Sequence, residues 1–149
     1  MSKSERNGVK NGFSTGNLHN DRRDKPEHGV LHKPIHTSVA YTYDDARDLA
    51  AVFQGKMPGY NYGRQQNPTV NALQNRVTLM EQGLTSTAFA TGMAAIGSTL
   101  FALLKTGDHI IASSFLFGNT NSLFNTFRHF GIEVSFVDTT SSANVLAAL

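Results

Sequence analysis

Apolar residues are spread unevenly along this chain. Residues 1–33 are mostly polar, and the apolar weight falls after residue 69. The polar stretch reads as an extended arm. Val30 to Tyr43, with Val39, Tyr41, Thr42 and Tyr43, reads as extended, at most a short strand. Pro34 near its start argues against a central one, because proline gives no N–H to a ladder. Asp44 and Asp45 are good helix starters, and Ala46, Leu49, Ala50 and Phe53 follow with Gly55 as a stop. A Gly- and Asn-rich loop covers 56–67.

The periodicity then sharpens. Asn67 can cap a helix that opens on Pro68, and Val70, Leu73, Val77 and Met80 recur at helical spacing until Gly83. Thr85 to Ala90 is short and β-prone. Met93 to Leu104 is apolar nearly all round, which predicts a buried helix closed by Lys105 and Gly107. His109 to Ala112 predicts a strand, about Asn119 to Phe130 a helix stopped by Gly131, and Ile132 to Val137 another strand. Ser141 or Ser142 can cap a last helix. Strands alternating with helices give βαβ units and a parallel sheet, so the fold class is α/β.

The pattern reaches Leu149 inside an apolar helical run, with no glycine and no basic last turn. A parallel sheet needs cover on both faces, and three strands with a partial helix supply little of it. The expectation is the front of a larger domain. The alternative is a small α/β protein whose last helix meets the chain end.

Composition narrows the chemistry. The 149 residues are 40% hydrophobic and 16% charged, and favour a folded chain over a disordered one. There is no cysteine, so disulfides, thiol nucleophiles and cysteine metal sites are out. The formal charge is only +2, with much of the excess in Lys3, Arg6, Lys10, Arg22, Arg23, Lys25 and Lys33. Glu5, Asp21, Asp24 and Glu27 interrupt that run. It reads as a solvated extension rather than a nucleic-acid arm. No signal-like or membrane-spanning apolar run appears, so the expectation is a soluble, cytoplasmic protein.

Two stretches carry candidate chemistry. The first is Ala88-Phe89-Ala90-Thr91-Gly92-Met93, an apolar run ending in Thr-Gly where a helix begins. A helix's first turn leaves N–H groups unpaired, its dipole favours an anion, and glycine lets a ligand approach the backbone closely. Taken alone, an ordinary strand-to-helix turn reads the same way and is commoner. The second is Gly59-Tyr60-Asn61-Tyr62-Gly63-Arg64, followed by Asn67-Pro68-Thr69. Arginine meets phosphate with paired, charge-assisted bonds, although a lone loop arginine is usually just solvated. Phe117, before Gly118, lies past the end of a strand, where parallel sheets display ligand contacts; an isolated phenylalanine there is more often core. His28, His32 and His36 are four residues apart, but Gly29 and Pro34 break any helix that would align them as metal ligands.

The two stretches together resemble the Cys/Met-metabolism pyridoxal-phosphate enzymes, above all cystathionine γ-synthase and the O-acylhomoserine sulfhydrylases. The likeness runs from Phe13 to Val137 and is densest from Pro58 to Thr120. It implies a fold-type-I pyridoxal-phosphate enzyme, with an arm and short helix over 1–57 and an incomplete cofactor domain over 58–149. Thr91, Gly92 and Met93 match the family's phosphate-binding Ser/Thr-Gly-Met. Tyr62 and Arg64 match a Tyr-x-Arg that reaches the neighbouring subunit's cofactor phosphate, which implies a homo-oligomer. Gly63 stands where serine is common. Phe117 stands where the family usually has a tyrosine stacked on the cofactor ring; stacking survives and the phenol is lost.

The family's Schiff-base lysine and the acidic partner of the pyridine nitrogen have no counterpart here. Lys33, Lys56 and Lys105 lie in other contexts. The chain by itself is therefore expected to hold half a phosphate site and no catalytic residue. The implied chemistry is γ-replacement on an O-acylated homoserine by cysteine or sulfide. The alternatives are a γ- or β-eliminating lyase of the family, a stand-alone phosphate- or nucleotide-binding module, and a nonfunctional remnant.

Overall fold

The computed structural model describes residues 12–19 and 27–149. The basic residues Lys3, Arg6, Lys10, Arg22, Arg23 and Lys25 lie outside the described residues, as do Glu5, Asp21 and Asp24. The chain divides into two compact units, residues 1–88 and 89–149.

In the first unit the expected extended arm contains a short helix, α1 (Phe13–Leu18), which packs against α3. A six-residue helix does not stand alone in water. Its support is tertiary, which the local polarity of the arm does not reveal. Helix α2 (Ala46–Phe53) starts where Asp45 accepts a hydrogen bond from the Arg47 N–H at 2.7 Å, and Gly55 ends it at φ 67°. Between them, residues 30–43 are extended and meet the chain again through one antiparallel bridge, Ala40 to Tyr62. Beyond Gly29 the stretch carrying His32 and His36 is not helical, so no helical face aligns the three histidines.

Helix α3 (Pro68–Met80) begins at the expected cap: Asn67 accepts from the N–H groups of Thr69 and Val70. Its end differs slightly from expectation. The left-handed residue is Gln82 (φ 53°), one position before Gly83. The Gly83 N–H returns to Thr78 O at 3.0 Å and the Gln82 N–H to Leu79 O at 3.3 Å, a Schellman closure.

The second unit is a βαβ turn. Strand β1 (His109–Ser113) leads into α5 (Gly118–Phe127), and β2 (Glu133–Val137) returns parallel to β1 with His109 opposite Glu133 and Ser113 opposite Val137. A 3₁₀ turn over Arg128–Phe130 extends α5 to Gly131, which is left-handed at φ 73°. The core is Phe127, Ile132 and Val134, ringed by Leu100, Leu104, Ile110, Leu123, Phe124 and Phe136. Helix α6 (Ser142–Ala147) follows Ser141 at its cap position.

Two expectations fail here. Thr85–Ala90 forms no strand, and among the described residues the sheet has two strands, not three. A strand is stabilised by its cross-strand pairs, and this small-residue segment has no ladder partner among the described residues. Helix α4 (Gly92–Leu103) is apolar as predicted, yet none of its residues is buried, and Phe101 and Leu103 are exposed. Within this unit α4 meets the core through Leu100 and through Phe101, whose ring centre lies 4.7 Å from that of Phe127.

Candidate functional site

In the first unit the Tyr62–Arg64 turn is fixed from several sides. The Tyr43 hydroxyl donates to Tyr60 O at 2.9 Å. Gly59 lies so close beneath that a Cβ there would run into the Tyr43 hydroxyl and stand 2.9 Å from Val52 Cγ2. Asn61 is the buried polar residue of this region, and its Oδ1 accepts from the Tyr62 N–H at 2.6 Å. The Tyr62 carbonyl accepts from the N–H groups of Gln65 and Gln66 at 2.9 and 3.0 Å, which closes the turn.

Arg64 sits on that turn, exposed, with its guanidinium carbon 4.7 Å from the centre of the Tyr62 ring. The pair is a cation–π contact, which orients the planar fork and leaves its N–H donors available. Among the described residues no carboxylate pairs with Arg64. A cavity of about 550 Å³ opens between the His36–Val39 segment and Tyr62–Arg64, with Asn67 and Thr69 at its margin. The sequence-predicted pair Tyr62 and Arg64 is thus brought together.

In the second unit Thr91 caps α4. Its Oγ1 accepts from the Ala94 N–H at 3.1 Å, and its carbonyl accepts from the Ala95 N–H at 3.1 Å. That leaves the Gly92 and Met93 N–H groups with no acceptor among the described residues. The space where a Gly92 Cβ would stand is open, with nothing within 4 Å. Phe117 occupies the cap position of α5 without a side-chain cap bond and is 79% exposed. The Thr120 Oγ1 in the first turn of α5 lies 3.9 Å from Met93 Sδ in the first turn of α4.

Two helix starts therefore lie side by side, each with unused N–H donors, next to an exposed flat aromatic ring. Such a corner can bind a doubly charged oxyanion, since aligned peptide dipoles and free donors both favour negative charge there. Thr120 was not singled out in the sequence. Asn67 was, as a cap and as part of the Asn67-Pro68-Thr69 string. No spacing signal marks Thr120, whereas the Asn-Pro-Thr string held a clue to a second use of Asn67.

Among the described residues no group of three His, Asp or Glu side chains could hold a metal ion, and no helix is long and apolar enough to cross a membrane.

Residues 14–149 match the family described as Cys/Met metabolism PLP-dependent enzyme. An L-methionine gamma-lyase of Fusobacterium nucleatum subsp. nucleatum is 36% identical over 141 residues, 94% of this chain and 35% of that protein. An O-acetyl-L-homoserine sulfhydrylase of Corynebacterium glutamicum is 37% identical over 128 residues, 85% of this chain and 29% of that protein. Among solved structures, a putative O-acetylhomoserine (thiol)-lyase of Campylobacter jejuni superposes with a TM-score of 0.83 at 27% identity, over 94% of this chain and 35% of that one. That crystal structure carries N'-pyridoxyl-lysine-5'-monophosphate. The chain thus spans about a third of the length of the relatives it matches. Its fold is that of the fold-type-I pyridoxal-phosphate enzymes, whose cofactor is pyridoxal 5'-phosphate. With the match running over residues 14–149, this chain belongs to the Cys/Met metabolism PLP-dependent enzyme family.

Proposed function

We propose that this chain supplies the phosphate corner and the subunit-bridging loop of a pyridoxal-phosphate enzyme acting on O-acylated homoserine. The observation that carries the reading is the pair of free N–H groups at Gly92 and Met93, under a glycine with open space above it. A phosphate monoester dianion fits that donor set. The Gly92 and Met93 N–H groups would donate to it. The Thr91 hydroxyl, which uses a lone pair on Ala94 N–H, keeps its own proton to donate as well. Phe117 would lie against the flat ring attached to the phosphate. Arg64, held over Tyr62, would reach the phosphate of a neighbouring copy, so the working unit is a homo-oligomer. The division we adopt is an arm and short helix over 1–57 and the beginning of the cofactor domain over 58–149.

The cofactor, when bound, supplies an electron sink for carbanions next to the amino acid's α-carbon. The residues of this chain bind and orient; none of them moves the substrate's protons. Lys33, Lys56 and Lys105 are not the cofactor-bearing lysine in this reading, and the chain alone is inactive. A cytoplasmic location belongs to the same reading.

A second reading has specific support. The 36% identity to a methionine gamma-lyase favours elimination as much as the sulfhydrylase match favours replacement. Phe117, without a phenol, does not choose between them. Product analysis of the assembled enzyme, with its cofactor-bearing lysine, separates the two. Given O-acetylhomoserine and sulfide, formation of homocysteine supports replacement. Given L-methionine alone, release of methanethiol and 2-oxobutyrate supports the lyase. A protein that binds pyridoxal phosphate and performs neither would overturn both.

A further inference from the structure

Asn67 uses its two side-chain atoms for two different purposes. Its Oδ1 accepts from the Thr69 N–H at 2.8 Å and the Val70 N–H at 3.4 Å, which is the helix cap. A cap needs an acceptor only, and serine, aspartate and asparagine serve about equally. The Nδ2 is not needed for that task. It points to the other side and donates to His36 O at 3.1 Å and to the Tyr41 hydroxyl at 3.4 Å. Only this orientation of the amide satisfies all four partners, since the opposite one would set N–H against N–H and C=O against C=O. Thr69 completes the arrangement, because its Oγ1 accepts from the His36 N–H at 2.8 Å. Both main-chain groups of His36 thus end on side chains of the Asn67-Pro68-Thr69 string.

The segment held in this way is the one that holds the arginine turn. Val39 O accepts from the Gly63 N–H at 2.6 Å, and the Tyr41 N–H donates to Asn61 O at 3.3 Å. A Cβ on Gly63 would stand 3.4 Å from Ser38 O, Val39 Cα and Val39 O, so the two stretches run in direct contact. Among the described residues the Arg64 guanidinium makes no hydrogen bond or ion pair and lies over the Tyr62 ring. Its position therefore depends on the backbone of its turn, and that backbone is bonded to residues 39–41, which are bonded through His36 and Tyr41 to Asn67.

We infer that Asn67 is a positioning residue for Arg64: its amide clamps the His36–Tyr41 segment to the first turn of α3, and this segment in turn sets the Tyr62–Gly63–Arg64 turn. The functional half of this inference rests on the reading of Arg64 as a phosphate contact. The clamp itself does not.

Asn67→Ser separates cap from clamp, because serine keeps the acceptor and loses the donor without adding charge. Amide hydrogen exchange on this chain reads the clamp directly. Exchange at Gly63 and Tyr41 should quicken by about 3- to 10-fold, the worth of a typical hydrogen bond, while Asn71 in α3 changes by less than about twofold. Thr69→Val, which leaves the cap in place, should quicken Gly63 in the same sense. Unchanged exchange at Gly63 in both variants would overturn the clamp. Pyridoxal phosphate affinity of the assembled protein reads the consequence. Asn67→Ser should weaken it several-fold when Arg64 is present and add nothing to Arg64→Ala. Equal losses in the two backgrounds would overturn the action through Arg64. Should Arg64→Ala alone leave the affinity unchanged, the phosphate role of Arg64 fails, and hydrogen exchange still decides the clamp.

Discussion

The Thr120 hydroxyl rests 3.9 Å from the Met93 thioether and so joins the first turn of α5 to the first turn of α4. A sulfur acceptor at that distance contributes little energy. Its importance is positional. It brings together two helix starts, one capped by Thr91 and one that follows Phe117 with no side-chain cap, just past the end of β1 where a parallel sheet leaves a crevice. The positive ends of both helix dipoles then act on one place.

That arrangement makes Gly92 a clean probe. Alanine at a compatible helical position usually stabilises by about 0.4–1 kcal/mol, because glycine loses more freedom on folding. Nothing within 4 Å opposes a methyl group at Gly92. Gly92→Ala should therefore raise stability in urea unfolding while weakening pyridoxal phosphate binding, since the methyl would occupy the space a phosphate needs. Loss of stability together with unchanged binding would place the phosphate elsewhere.

The parts of the fold legible in the sequence are those specified locally. The caps Asp45 and Asn67 and the stops Gly55 and Gly131 act over a few residues, and each stands where it was expected. What failed depends on distant partners. Helix α1 exists through α3, Thr85–Ala90 lacks the neighbour that would make it a strand, and the exposure of α4 follows from what covers it. The candidate site divides in the same way. Thr91-Gly92-Met93 is contiguous and readable. The link from Asn67 to His36 spans 31 residues and leaves no periodicity to detect.

Gly131 is a conformational requirement. It is left-handed at φ 73°, and a Cβ would stand 2.8 Å from Thr106 Cγ2. Its N–H returns to Arg128 O, and the Ile132 N–H returns to Phe127 O, so the stop and the buried Phe127 are coupled. Gly131→Ala should cost about 1–2 kcal/mol from the left-handed backbone, and more from the Thr106 contact. Adding Thr106→Ser to it should recover part of the loss. Thermal or urea unfolding of both variants checks the pair.

The start of α2 should be acid-sensitive. Asp45 accepts from the Arg47 guanidinium and from its N–H, which hold the carboxyl below its usual pKa. A carboxyl depressed in the folded state adds stability above its unfolded pKa, and loses that contribution as pH falls through the folded value. The Arg47 amide should therefore become exchange-labile only below the ordinary aspartate range of about pH 4, as pH falls through the depressed folded value. Asp45→Asn, which keeps a capping oxygen, should abolish the pH dependence. An unaltered acid transition in that variant would assign the sensitivity to another group.

The chain on its own should self-associate. Leu84 is fully exposed at 103%, and Leu103, Phe115, Phe117 and Leu146 are largely so. Large apolar side chains left this exposed favour contacts between copies or aggregation. Size-exclusion chromatography with light scattering should find mass above 16.2 kDa at micromolar concentration. A single monomer peak with a cooperative melt would oppose this.

Arg64 and Phe117 should differ in what they contribute to holding the cofactor. A charge-assisted bond to a dianion contributes about 1.5–3 kcal/mol, whereas a ring stack adds about 0.5–1.5 kcal/mol beyond area burial. In the assembled enzyme Arg64→Ala should therefore weaken pyridoxal phosphate binding more than Phe117→Ala does. The two should also differ in mixing experiments. If Arg64 serves the neighbouring copy, an Arg64→Ala subunit combined with one intact at Arg64 but lacking its cofactor-bearing lysine should regain activity. The functional centre would then take its lysine from one copy and its arginine from the other. Phe117 and the lysine belong to the same centre in this reading. Phe117→Ala mixed with the same partner should therefore recover nothing. Mixed oligomers that stay inactive for Arg64 as well would confine it to its own subunit.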